Sequence, residues 1–205
     1  MKFASSLSFA ISVIFTFIPA SFALSQGDPD AGKAKSATCV ACHGEDGNST
    51  LNPAYPKIGG QIEGYIASSI AAYQSGKRQD PVMQGMIGSL SEQDIADLAA
   101  YYSQFELTPA SIDEADLSAA NSGREIYRIG AAEYSVPACM ACHGPAGKGI
   151  PARYPAVAGQ QYEYLVKTLM DYKSGARVSE EMNPIAFRLT EEQMRNLAKY
   201  MHALN

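Results

Sequence analysis

Two pentapeptides hold most of the reactive side chains: Cys39-Val40-Ala41-Cys42-His43 and Cys139-Met140-Ala141-Cys142-His143, one hundred residues apart. Together they use all four cysteines and two of the three histidines. Four cysteines can form disulfides, close a zinc site or act as thiol redox pairs. Zinc-binding cysteine pairs ordinarily lie about 15–20 residues apart, and a thioredoxin-like centre needs a βαβ setting that this chain does not offer. The histidine directly after each second cysteine separates these readings. Two thiols three residues apart on a helical turn can add to the two vinyl groups on one edge of a haem, and the following imidazole then reaches the iron. The spacing predicts two covalent haem c groups. One is held by Cys39 and Cys42 with His43 as axial ligand, the other by Cys139 and Cys142 with His143.

Each iron then needs a sixth ligand. His202 is the remaining histidine and cannot serve both, so methionine, the other common partner of an electron-transfer haem, is the better reading. The first half offers Met83 and Met86, the second Met182. Met83 lies seven residues before Leu90 and Met182 seven before Leu189, whereas Met86 aligns with Ile185, which cannot ligate. Met83 and Met182 are therefore the expected axial ligands, with Met86 a pocket or surface residue. Met140, Met170, Met194 and Met201 read as core fillers on helices, and His202 as a solvated or cap-region side chain near the end of the last helix.

The elements that must position these groups occur twice. "YPKIGGQIEGYIASSIAAYQSGKR" from Tyr55 returns as "YPAVAGQQYEYLVKTLMDYKSGAR" from Tyr154. At an offset of 99, Tyr55, Pro56, Gly60, Gln61, Tyr65, Tyr73, Ser75, Gly76 and Arg78 recur as Tyr154, Pro155, Gly159, Gln160, Tyr164, Tyr172, Ser174, Gly175 and Arg177. This is a tandem duplication. Each copy reads as three helical segments. The first carries the Cys-x-x-Cys-His, with Asp28 or Asp30 capping it in the first copy; the second runs from about Gln61 or Gln160; the third starts near Ser91 or Thr190 on a capping signal. No stretch alternates as a strand would. The expectation is an all-α chain of two domains, 24–105 and 119–205, joined by an acidic linker over 106–118. Domains this small gain much of their apolar core from a bound haem, so the recurring Tyr and Leu positions read as core and haem-pocket packing.

Composition agrees: 46% hydrophobic and 18% charged residues fit a globular protein. A formal net charge of −5 leaves no basic footprint for nucleic acid. Residues 1–23 have Lys2, a short apolar run and small residues up to Ala23, the layout of a cleavable signal peptide. The apolar run is too short for a membrane span, which takes about 20 residues.

These features together resemble the dihaem cytochrome c4 family: tandem "ACHGxxG" motifs, the repeated Tyr-Pro…Gly-Gln stretch and the "LSEQDIADLAAYY" helix behind a leader. The resemblance implies a non-enzymatic electron carrier in the periplasm, sometimes peripherally attached to the membrane. It would take electrons from a respiratory complex and deliver them to a terminal oxidase. It also implies that Pro56 and Pro155 offer their carbonyls to His43 and His143. Arg78 and Arg177, after Ser-Gly in each copy, read equally as haem-propionate partners or as exposed loop arginines. Rival readings are a cytochrome subunit of a dehydrogenase complex, such as a sulfide-oxidising flavocytochrome, and a dihaem peroxidase, which the matched methionines disfavour. The lead-in "YRIGAAEYSVPACMACH" has no equal in the first copy and leaves the packing of the halves open.

Overall fold

Two capping boxes start the helices on which each half is built. Ser91 and Thr190 accept from the backbone N–H groups of Asp94 and Gln193, whose side chains accept from the cap residues' own N–H groups. Residues 26–151 and 153–205 are described in the structure, a computed structural model; the expected leader over residues 1–23 lies outside them. Among the described residues there are ten α-helices and no strand, with isolated bridges at Ala131–Val136 and Ile150–Tyr154. The first half contains α1 (Pro29–Lys35), α2 (Ala37–His43), α3 (Glu63–Gln74), α4 (Pro81–Ile87) and α5 (Glu92–Ser103). The second contains α6 (Leu117–Ile129), α7 (Met140–His143), α8 (Tyr162–Ser174), α9 (Met182–Arg188) and α10 (Glu191–Ala203). None is long and apolar enough to cross a membrane.

Helical spacing puts Ile95, Leu98, Ala99 and Tyr102 on the buried face of α5, and Met194, Leu197, Ala198 and Met201 on that of α10. Each buried aliphatic side chain of this kind contributes about 1.5–3 kcal/mol. Two separate cores result. One gathers Ile66, Leu98, Ala99, Tyr101 and Tyr102; the other includes Tyr127, Leu165, Leu169, Met194, Leu197 and Met201. In each half the first helix lies tightly across the last, α1 on α5 and α6 on α10. Glycine allows the approach: a Cβ at Gly32 would stand 2.1 Å from the Asp97 carbonyl oxygen, and one at Gly123 would stand 2.0 Å from that of Asn196.

The first helical segment differs from the sequence expectation. Asp28 is the N-cap, its carboxylate accepting from Asp30 N–H, but the helix it caps is α1. The haem motif follows on α2 after a break at Ser36. In the second half the separation is wider. Cys39 follows Gly32 by seven residues, whereas Cys139 follows Gly123 by sixteen. The extra chain folds through the Ala131–Val136 bridge, with Ser135 left-handed at φ 54°, and the motif occupies the single turn of α7. Two short helices, α4 and α9, were absent from the three-segment reading; they carry Met83 and Met182.

The connection between the halves lies along both of them. Asn48 donates to the Glu106 carbonyl and accepts from Thr108 N–H, and Ala110 N–H donates to the His202 carbonyl. Lys57, 3% exposed, reaches the Thr108 carbonyl with its ammonium group. Helix α6 begins at Leu117, inside the stretch expected as linker.

Candidate functional site: two haem-attachment turns and the seam between the halves

In each half the chain turns out of the motif helix at a glycine in a left-handed conformation, Gly44 (φ 84°) and Gly144 (φ 80°). The loop then closes on itself. Ser49 N–H donates to the His43 carbonyl and Gly149 N–H to that of His143, both at 2.9 Å; Ile58 and Val157 donate to the Gly47 and Gly147 carbonyls. This closure brings the Tyr-Pro segment under the histidine. His43 Nδ1–H donates to the Pro56 carbonyl at 2.8 Å, and His143 Nδ1–H to the Pro155 carbonyl at 2.8 Å. Because a carbonyl only accepts, the proton resides on Nδ1 and Nε2 keeps its lone pair free. Burial lowers both imidazole pKa values, against the opposing pull of these carbonyls. Both rings are therefore held neutral, the state in which imidazole binds a metal.

The four cysteines form no disulfide and are partly buried. Burial pushes the Cys39 thiol up and the Cys139 thiol up to about 11. Met83 and Met182 are both half-buried near the starts of α4 and α9. Their backbone N–H groups are fixed by Asp80 Oδ1 (3.0 Å) and Ser179 Oγ (3.1 Å). Met86 is 46% exposed, a surface residue. Met194 and Met201 are core residues, and Met140 and Met170 pack against the same core. His202 is not free in solvent: its ring is half-buried and donates from Nδ1 to the Gln160 carbonyl at 2.7 Å.

Arg78 and Arg177 are not ordinary loop arginines. Each lies over a tyrosine of its own half, Arg78 over Tyr73 at 4.5 Å and Arg177 over Tyr172 at 4.7 Å from the ring centroid. Each then crosses the seam: Arg78 donates to the Tyr164 hydroxyl (2.9 Å) and Arg177 to the Tyr65 hydroxyl (2.7 Å). Burial alone would raise the Tyr164 phenol pKa, but the two guanidiniums outweigh it and bring the phenol below its usual range. Tyr65 and Tyr164, expected as core and haem-pocket packing, thus serve at the joint between halves.

Sequence reading also missed a second crossed set. Gln61 Nε2 donates to the Ala156 carbonyl (3.0 Å), and its Oε1 accepts from Ala156 N–H (2.8 Å). Gln160 does the same to Lys57, with both distances 2.8 Å. Gln61 and Gln160 are buried, as is Gln161, whose amide donates to the Ser49 carbonyl. The signal was present: a glutamine recurring after glycine in both copies is a polar residue with a fixed task.

The residues fit a haem c in each half. Two cysteines outside any disulfide and a carbonyl-oriented, neutral imidazole stand on one turn, with a methionine from a separate short helix in the same half. The arginines supply a further reason. Arg177 is 8% exposed, yet no carboxylate of the described residues lies within 4.0 Å of either guanidinium. A buried cation needs a counter-charge, and a haem propionate is a group of the charge that would supply it. A zinc cage does not fit, since no three His, Cys, Asp or Glu side chains gather among the described residues.

The sequence profile described as Cytochrome c matches residues 30–105 and again 127–205. Cytochrome c4 of Pseudomonas aeruginosa is 36% identical over 200 residues, covering 95% of this chain and 98% of that one. A thiosulfate dehydrogenase electron acceptor of Thiomonas intermedia is 31% identical over 196 residues, covering 94% and 87%. The crystal structure of reduced recombinant cytochrome c4 from Pseudomonas stutzeri matches with a TM-score of 0.81 at 34% identity, covering 87% of this chain and 100% of that one. Two cytochrome c domains, each with its own Cys-x-x-Cys-His, make two haem c groups the cofactors. The chain belongs to the dihaem cytochrome c4 family of electron-transfer proteins.

Proposed function

We propose that this protein is an exported carrier of single electrons, with His43 and Met83 as axial ligands in the first half and His143 and Met182 in the second. When bound, each haem supplies a one-electron ferric–ferrous couple. Cys39, Cys42, Cys139 and Cys142 tether the groups covalently. The Pro56 and Pro155 carbonyls hold the histidine rings in one tautomer and raise their basicity. The thioethers of Met83 and Met182 would hold the iron from the other side, which would leave no open site for substrate and favour the reduced state. Arg78 and Arg177 balance the propionate charge at the seam. Two sites closed in this way would make a carrier rather than a peroxidase.

The observation that carries this reading is the paired Nδ1–H to proline-carbonyl bond, 2.8 Å in each half. The optical spectrum of the purified protein tests it. A long-wavelength methionine-to-ferric charge-transfer band at full two-haem intensity, with no carbon monoxide binding in the ferrous state, is expected. Half intensity, with one haem binding carbon monoxide, would refute one of the methionine assignments.

The leader and the family support the periplasm as location, with a respiratory complex as donor and a terminal oxidase as acceptor. Any membrane attachment through the described residues is peripheral. A second reading follows from the Thiomonas relative, which is named as the electron acceptor of a thiosulfate dehydrogenase. In that reading the donor is a dehydrogenase with which this chain associates. Purification from native membranes and periplasm separates the two: a stably bound dehydrogenase favours the second, and reduction by membrane quinol oxidation favours the first.

A further inference from the structure

Each glutamine clasp meets a histidine at a single peptide group. The carbonyl of Pro155 and the N–H of Ala156 belong to the same amide. That carbonyl accepts from His143 Nδ1–H at 2.8 Å, and that N–H donates to Gln61 Oε1 at 2.8 Å. The arrangement is repeated in mirror order. The Pro56 carbonyl accepts from His43 Nδ1–H at 2.8 Å, and Lys57 N–H of the same amide donates to Gln160 Oε1 at 2.8 Å. Every proximal imidazole is therefore the first member of a hydrogen-bonded chain that ends on a side chain of the other half.

The glutamine ends are firmly held. Gln61 Oε1 also accepts from Ile62 N–H and Gln160 Oε1 from Gln161 N–H, both at 2.9 Å, which anchors each amide to the start of α3 or α8. Each Nε2 returns to the carbonyl of the clasped residue, so the side chain has no second orientation that satisfies both bonds. Gln61 and Gln160 are buried at 6% and 4% exposure, where hydrogen bonds polarise one another most strongly.

We infer that Gln61 and Gln160 are crossed positioning residues, each tuning the haem of the opposite half through the peptide that orients its histidine. Accepting the amide N–H draws electron density toward the amide nitrogen and its carbonyl oxygen. The carbonyl then pulls harder on Nδ1–H, and Nε2 becomes a stronger donor that favours ferric iron. The inference rests on His43 and His143 being iron ligands.

The test uses the dihaem protein and follows each haem's reduction separately through its paramagnetically shifted proton resonances. Gln61→Met keeps the length and removes both hydrogen bonds to Ala156, with the one from Ile62 N–H. The expected result is about a threefold shift toward the reduced state at the His143 haem, about 28 mV at 59 mV per decade for one electron, with the His43 haem unmoved. Gln160→Met is expected to do the reverse. Gln61→Glu, while its carboxyl is protonated, offers one O–H and one carbonyl oxygen to Ala156 and is expected to restore the wild-type potential. Gln161→Met removes a bond across the seam to Ser49 but touches neither peptide, and so is expected to shift neither haem. A shift at the mutated half's own haem, equal shifts at both, or none at either would overturn the inference. The ligand assignment fails separately: a low-spin spectrum at the second haem that survives His143→Ala would refute it whatever Gln61 does.

Discussion

Replacing Gly123 by alanine tests whether the crossing of α6 and α10 is set by backbone contact. A Cβ there would lie 2.0 Å from the Asn196 carbonyl oxygen, 2.4 Å from its carbon and 2.8 Å from Leu197 N. All three atoms are backbone inside α10, so no side-chain rotation relieves the clash and the helices must separate by about an ångström. That separation loosens the packing of Tyr127 against the buried face of α10. Overpacking of this kind costs about 1–3 kcal/mol or somewhat more, while alanine in a helix returns up to about 1 kcal/mol over glycine. The net expectation is about 2 kcal/mol of destabilisation, a fall of about 4–8 °C in the thermal midpoint for a chain of this size. Gly64→Ala is the matched control: it is the same chemical change on α3, with nothing within 4 Å of the added carbon, and it is expected to leave the midpoint unchanged or slightly raised. Thermal unfolding of both variants by circular dichroism, with haem content equal to wild type, supplies the comparison. If Gly123→Ala behaves like Gly64→Ala, close helix contact is not what glycine provides there. Gly32→Ala should repeat the loss in the first half.

Three other outcomes follow from named contacts. Met182→Ala should abolish half of the methionine charge-transfer band and admit carbon monoxide to one haem, whereas Met86→Ala should do neither; a closed site in the first variant would remove Met182 as a ligand. The Asp28 N–H, the Lys35 ammonium and the Gln93 amide hold the Asp97 carboxyl down at about 2. The folded value lies below the ordinary carboxylate value near 4, so this stabilisation is complete above about pH 4 and disappears as pH falls toward 2. Thermal midpoints measured down this range should fall more steeply for wild type than for Asp97→Asn. Tyr102 is 1% exposed, and burial beside Cys39 and Ser36 pushes its phenol well above the usual range. Tyr102→Phe should therefore change stability by no more than about 1 kcal/mol; a larger fall would show that the hydroxyl is firmly bonded.

Much of this protein was legible in its sequence because the relevant signals are local. Cysteine and histidine in a five-residue motif need only one helical turn to meet. Ser91 and Thr190 announce helix starts through side chains three residues away. The helices carrying Met83 and Met182 were harder to see, because seven residues are too few to establish a period. Asp80 before Pro81 was the available sign of the first. The break at Ser36 was hidden, because nothing in its immediate sequence forbids a continuous helix. The joint between the halves lay furthest out of reach. Repetition marked Gln61, Tyr65 and Arg78 as having a task, but their partners stand 95, 112 and 86 residues away, and repetition carries no distances. A residue and its duplicate look alike in sequence whether they pack within their own halves or reach across to each other's.

The seam joins like to like. Gln61 meets Ala156 as Gln160 meets Lys57, and Arg78 meets Tyr164 as Arg177 meets Tyr65. This is the self-complementary pattern of a two-fold dimer, written within one chain. In a true dimer any substitution strikes both copies of a contact at once, so the two sites must stay identical. Once the copies share a chain, each contact can be altered singly. Lys57 and Ala156 already differ, and the difference costs the clasp nothing because only their backbone is grasped. Fusion thus keeps a symmetric joint while freeing the two irons to become unequal, and inequality would give any electron flow between them a direction.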